Sequence, residues 1–136
     1  MSDGYIHVSG PSSKEFVTPS GAVAMDDQGV FKLVPLPPAY DADAPTITLD
    51  WGIPVHVLTL AGDRTIAFAN DLDGGRLTVV FKNGDGKSWT PVWPAGVHWP
   101  GGSAPGLSGT VGWYDVVTLY RLAAGEYLGF VSATLE

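Results

Sequence analysis

The chain has 136 residues, no cysteine, a formal net charge of −7 and only 15% charged residues, which excludes disulfides, thiolate nucleophiles and thiolate zinc sites. The acidic balance also argues against the phosphate backbone of nucleic acid and anionic membranes as partners, since both are normally bound through Lys and Arg. One domain with one core fits this length, and eighteen Gly, eleven Pro and five Trp describe a turn-dense β protein.

Met1-Ser-Asp-Gly4 has neither a basic nor an apolar signal segment, so synthesis in a cytoplasm is expected. Residues 1–45 then alternate short apolar pieces, Tyr5-Ile-His-Val8 and Val30-Phe-Lys-Leu-Val34, with Pro- and Gly-rich breaks. This pattern predicts an extended N-terminal arm, the alternative being an irregular N-terminal part of the same domain. Pro35-Leu36-Pro37-Pro38 favours polyproline II and makes a stiff spacer, and Asp41-Ala-Asp-Ala-Pro45 is a polar break. The arm retains Tyr5, Ile6, Val8, Phe31, Leu33 and Val34, apolar groups that a free arm would have to bury elsewhere; they are the candidate attachment residues.

From Thr46 to Glu136 the pattern has period two, which predicts a single small β-sandwich or jelly roll of roughly seven strands. Ile47, Leu49 and Trp51 open it. In Val55-His-Val-Leu-Thr-Leu60 the apolar parity shifts after Val57, which points to a β-bulge in preference to a strand buried on both faces, with His56 facing solvent or a subunit contact. Ile66 with Phe68, and Leu77 with Val79 and Phe81, continue the alternation. Asn83-Gly-Asp-Gly86 is a strong hairpin signal, so residues 76–82 are expected to pair with 87–93. The stretch from Trp89 to Pro105 holds three Trp among Pro91, Pro94, Pro100, Gly101 and Gly102, which no helix accommodates. Asp115–Arg121 and Tyr127–Val131 form a second predicted hairpin around Gly125. The expected core is Leu49, Trp51, Leu60, Ile66, Phe68, Leu77, Val79, Phe81, Val117, Leu119, Leu128 and Phe130.

Little in the chain has the spacing of a catalytic or metal site. His7, His56 and His98 lack a second ligand nearby, and Asn70-Asp-Leu-Asp73-Gly-Gly75 lacks the distant Glu of a calcium loop, so it reads as a turn capped by its own side chains. No Ser stands in a nucleophile elbow and no glycine-rich loop leads into a helix. No catalytic residue, metal or cofactor is therefore expected. The aromatic set is the remaining candidate, because flat apolar faces stack on sugars or anchor interfaces. Trp99, Trp113 and Tyr114 are the candidate glycan or partner contacts.

Trp93-Pro94, then Val97-His-Trp99-Pro-Gly-Gly-Ser-Ala-Pro105, then Asp115-Val-Val-Thr118, together with Leu58-Thr-Leu-Ala-Gly-Asp-Arg-Thr65 and Gly75-Arg-Leu-Thr-Val-Val-Phe81, resemble a β-domain of tailed-bacteriophage virions. That domain occurs in tail-fibre-like, minor structural and head-decorating proteins. The resemblance spans about ninety residues and is specific in the Trp-Pro-Gly-Gly loop. It implies a non-enzymatic homotrimer on the virion surface, bound to the major capsid protein or a tail component. A short arm in place of a long shaft favours capsid decoration or a head spike, ahead of a receptor-binding tail-fibre or tail-tip domain that contacts a host surface glycan. A free carbohydrate-binding module ranks third. The low charged fraction and the semi-apolar face of Val116, Thr118 and Tyr120 also point to a covered surface.

Overall fold

A computed structural model describes residues 15–18, 21–25, 28–29, 31–34 and 36–136, the strands before residue 35 by their backbone alone. The chain is all-β, its one helical piece among the described residues being a 3₁₀ turn at Pro100–Gly102. Strands β1 (Glu15–Thr18), β2 (Gly21–Met25) and β3 (Phe31–Val34) make an antiparallel three-stranded sheet. A second sheet has six strands in the order β4-β6-β8-β10-β11-β9. These are β4 (Ala39–Tyr40), β6 (Val55–Leu58), β8 (Arg76–Lys82), β9 (Val97–His98), β10 (Tyr114–Ala123) and β11 (Glu126–Leu135). A parallel pair, β5 (Thr46–Asp50) and β7 (Thr65–Ala69), forms the opposing layer.

Side chains alternate across a strand, so each of these strands offers one face to the space between the layers. Ile47, Leu49 and Ile66 from the parallel pair meet Leu58, Leu77, Val79, Phe81, Val117, Leu119 and Tyr127 from the six-stranded sheet in one core, completed by Trp51 and Leu60. Phe68 packs at its margin, edge-on to Trp51 at 5.3 Å and to Tyr127 at 5.0 Å. Seven strands lie between Thr46 and Glu136.

Four expectations are corrected. Residues 87–93 do not pair with β8, because β6 and β10 occupy both of its edges. They run instead along β7, where Val92 bridges Thr65 and exchanges backbone hydrogen bonds with Arg64 and Ile66. Asn83 closes the turn with its side chain. Its Oδ1 accepts from Asp85 N (3.2 Å) and Gly86 N (2.7 Å), while Nδ2 donates to the carbonyls of Lys87 (2.9 Å) and Ser108 (2.6 Å).

The phase of β11 is the reverse of that expected. Tyr127 and Gly129 point inward, whereas Leu128 is only half-buried and Phe130 is 41% exposed. The physical reason is Trp99, whose ring lies over Gly129 so closely that a Cβ there would stand 2.4 Å from it. The indole supplies the volume that an inward side chain of β11 would otherwise fill.

There is no bulge in β6, whose register with β8 is unbroken from Val55 to Leu58. The apparent parity shift arises because His56, not Val57, belongs to the inner face. His56 is 1% exposed. Its Nδ1 lies 2.6 Å from Asp41 Oδ2 and its Nε2 lies 2.7 Å from the Asp50 carbonyl, so neither solvent nor another subunit meets it. Through Asp41 and the pairing of Ala39–Tyr40 with His56–Val57, residues 39–41 are joined to the six-stranded sheet.

Candidate interaction surface

The side of the six-stranded sheet turned away from the core carries many apolar side chains. Register fixes its rows. Tyr40, Val57, Val80 and Val116 form one; Val55, Thr78, Thr118 and Phe130 form the next; Arg76, Tyr120 and Leu128 form a third. Lys82 and Tyr114 close the far end, with the Lys82 Nζ 5.9 Å from the Tyr114 ring. A sheet with valine on both faces is the pattern of a strand layer covered on both sides. On this outer side Tyr40 is 78%, Phe130 41% and Tyr120 36% exposed, while Val55, Val57, Val80 and Val116 are half-buried.

Cross-strand side-chain contacts brace this face. Tyr120 and Phe130 meet edge to face at 6.1 Å, and the hydroxyls of Thr118 and Ser132 share a hydrogen bond of 2.6 Å. Arg76 and Lys82, at opposite ends of β8, form no ion pair among the described residues. Beside Arg76 lie two hollows that share it and Pro54. One, of about 330 Å³, is lined by Val55, Thr78, Thr118 and Tyr120; the other, of about 430 Å³, by Trp51, Asn70, Leu72, Gly74 and Gly75.

The three aromatic candidates do not share a surface. Trp99 is half-buried and braces the core, 5.3 Å from Trp93, whose ring meets Phe81 edge-on at 5.9 Å. The Trp-Pro-Gly-Gly turn below it is held by a 2.9 Å bond from Gly102 N to the Trp99 carbonyl, with positive φ at Gly101 (75°) and Gly102 (83°). Trp113 is half-buried where β10 begins, its carbonyl accepting from Asn83 N at 2.9 Å. Tyr114 alone of the three belongs to the outer face. Of the candidate attachment residues, Tyr5, Ile6 and Val8 lie outside the described residues. Phe31, Leu33 and Val34 occupy β3, paired with Met25, Val23 and Ala22, and their side chains are likewise outside the description.

The carboxylates of the 70–75 loop have structural partners. Arg121 reaches Asp71 (3.2 Å) and Asp73 (3.3 Å), and the Tyr127 hydroxyl donates to Asp71. Burial first, and then this hydrogen bond, push the Tyr127 phenol above its ordinary pKa. Asp115, which the sequence offers only as the start of a strand, is buried and accepts from Ser108 N (2.7 Å) and from the Thr134 hydroxyl (3.0 Å), tying the 107–110 segment to the sheet. Its sign was its place in the alternation of β10, in phase with Val117 and Leu119. Among the described residues no group of three or more His, Asp and Glu converges as a metal site would require. No known protein family, curated protein or solved structure matches the chain.

Proposed function

We propose that this chain is a non-enzymatic structural subunit at the surface of a tailed-bacteriophage particle, acting as a capsid decoration protein or head-spike subunit and assembling as a homotrimer. The observation that carries the reading is the set of exposed and half-buried apolar side chains on the outer side of the six-stranded sheet, in a chain of sparse charge. An exposed patch of that kind marks a surface built for contact, and a virion lattice or a symmetric oligomer supplies lasting contact. The Trp93–Pro105 loop, resembling that of phage surface domains, gives the contact its setting. Major capsid protein is the proposed partner on the head.

A second reading, a receptor-binding tail-fibre or tail-tip domain, draws on the paired hollows at Arg76. A guanidinium with no ion pair among the described residues, beside Asn70 and Tyr120, suits a carboxylated sugar of a host glycan. A free carbohydrate-binding module would use the same features without a particle.

Immuno-electron microscopy of purified parent particles, with antibody raised against this protein, separates the three. Label over the head is expected. Label confined to the tail tip transfers the function to the second reading, and protein found only free of particles overturns both in favour of the third.

A further inference from the structure

We propose that Asn83 is a covalent modification site: a deamidation site that the folded loop holds back, and whose conversion to aspartate or isoaspartate releases the strap of residues 84–112. The site is independent of what the outer face of the sheet contacts.

An asparagine side chain deamidates when the backbone nitrogen of the next residue attacks its Cγ. The new N–Cγ bond closes a succinimide ring, the backbone nitrogen gives up its proton, and Nδ2 leaves as ammonia. Solvent water then adds to either ring carbonyl and opens the ring to aspartate or isoaspartate. Glycine in the second position favours the attack, because without a Cβ it neither shields its nitrogen nor restricts the backbone. Asn83-Gly84 is the one such pair in the chain, the other asparagine, Asn70, being followed by Asp71. Gly84 is exposed, and its N–H makes no hydrogen bond to the described residues. The nucleophile is therefore free.

The fold restrains the other partner. Asn83 Oδ1 accepts from Asp85 N and Gly86 N, while Nδ2 donates to the carbonyls of Lys87 (2.9 Å) and Ser108 (2.6 Å). The backbone is held as well: Asn83 N donates to the Trp113 carbonyl and Gly112 N donates to the Asn83 carbonyl, both at 2.9 Å. Attack makes Cγ tetrahedral and swings Oδ1 and Nδ2 away from their partners. The departing nitrogen must also gain a proton, and the two groups facing it are carbonyls, which have none to give. With two donor bonds to break first, the folded chain should react at least about tenfold more slowly than the unfolded one.

The product does not rebuild the clamp. A carboxylate donates nothing, so an oxygen would face the Lys87 and Ser108 carbonyls where Nδ2 stood. Isoaspartate further inserts a methylene into the main chain between the bonds to Trp113 and Gly112. The strap keeps its tie from Ser108 N to Asp115 (2.7 Å) but loses both ties to the residue 83 side chain, and the hollow beneath it, lined by Leu60, Phe81, Trp89 and Leu107, opens toward water. Loss of ammonia makes the change one-way.

Full-length protein is incubated at mildly alkaline pH in buffer and in urea, and conversion at residue 83 is followed by peptide mass spectrometry with isoaspartate methyltransferase labelling. Conversion at least about tenfold faster in urea is expected, and Gly84→Val, read in urea where folding is not at issue, should suppress it. Hydrogen exchange then reads the strap: Asn83→Asp should raise exchange at the amides of Ser108 and Gly112 while those of β8 and β10 stay protected. Native protein aged until residue 83 has converted should show the same change, which keeps the measurement open if the variant does not fold. No conversion of Asn83 in urea, or conversion undiminished by Gly84→Val, would overturn the site; equal rates in buffer and urea would overturn its protection by the fold. Unchanged exchange at Ser108 and Gly112 after conversion would overturn the release of the strap.

Discussion

His56 shows how one polar side chain can fasten a chain segment to a sheet. Both ring nitrogens lie within hydrogen-bond distance of oxygens, the Asp41 carboxylate at 2.6 Å and the Asp50 carbonyl at 2.7 Å. The ring is fully enclosed, and a buried donor that loses its partner costs about 1–3 kcal/mol. Asp41→Ala is therefore expected to lower stability by about that amount, read as a shift in the urea unfolding midpoint. An unchanged midpoint would show that the Asp41 contact contributes nothing and that β4 is held by its backbone pairing alone. Asp43 holds the same stretch at a second point. Its carboxylate receives Arg64 Nε (2.8 Å) and Nη2 (2.7 Å), a bidentate pair whose geometric specificity exceeds its worth at the surface.

At the scale of elements, β11 is informative because its sequence allows either phase. Tyr127, Leu128, Phe130 and Val131 place apolar groups on both parities, and period two alone does not choose between them. The choice is made across space by Trp99, which comes from the Trp-Pro-Gly-Gly turn and needs the bare inner side of Gly129. Gly129→Ala should cost about 1–3 kcal/mol by overpacking and perturb tryptophan fluorescence, whereas Leu128→Ala, on the outer face, should cost less in a monomeric background. If Leu128→Ala proves the more damaging of the two, the inward phase of Tyr127 and Gly129 is wrong. The turn at Asn83 teaches the same lesson. Asn-Gly supports a two-residue hairpin, but β8 already has two neighbours, and the amide instead serves four backbone groups, two of them across the strap at Lys87 and Ser108.

For the whole molecule, three carboxylates join segments distant in sequence or close turns, and each is held below the ordinary carboxylate pKa. Asp43 is held so chiefly by the Arg64 hydrogen bond, Asp50 by the Asn70 amide and then Gly52 N, and Asp85 by Lys87 N and then the Trp89 indole. Each binds its proton more weakly folded than unfolded. The stability they contribute is therefore complete above about pH 4 and is lost as the pH falls below it. Melting temperature measured from neutral to acid pH should hold its value down to that region and then decline; a flat profile down to about pH 3 would contradict these shifts. The sequence by itself determined the all-β class, the hairpin around Gly125 and ten of the twelve expected core positions as inward or core-packed, because alternation along a strand and positive φ at glycine are local properties. Tertiary structure alone decided which strands lie beside β8, which face of β11 turns inward, and that His56 belongs inside. Each of these depends on what occupies the neighbouring space, and chain-local periodicity carries no record of a partner that arrives from thirty residues away.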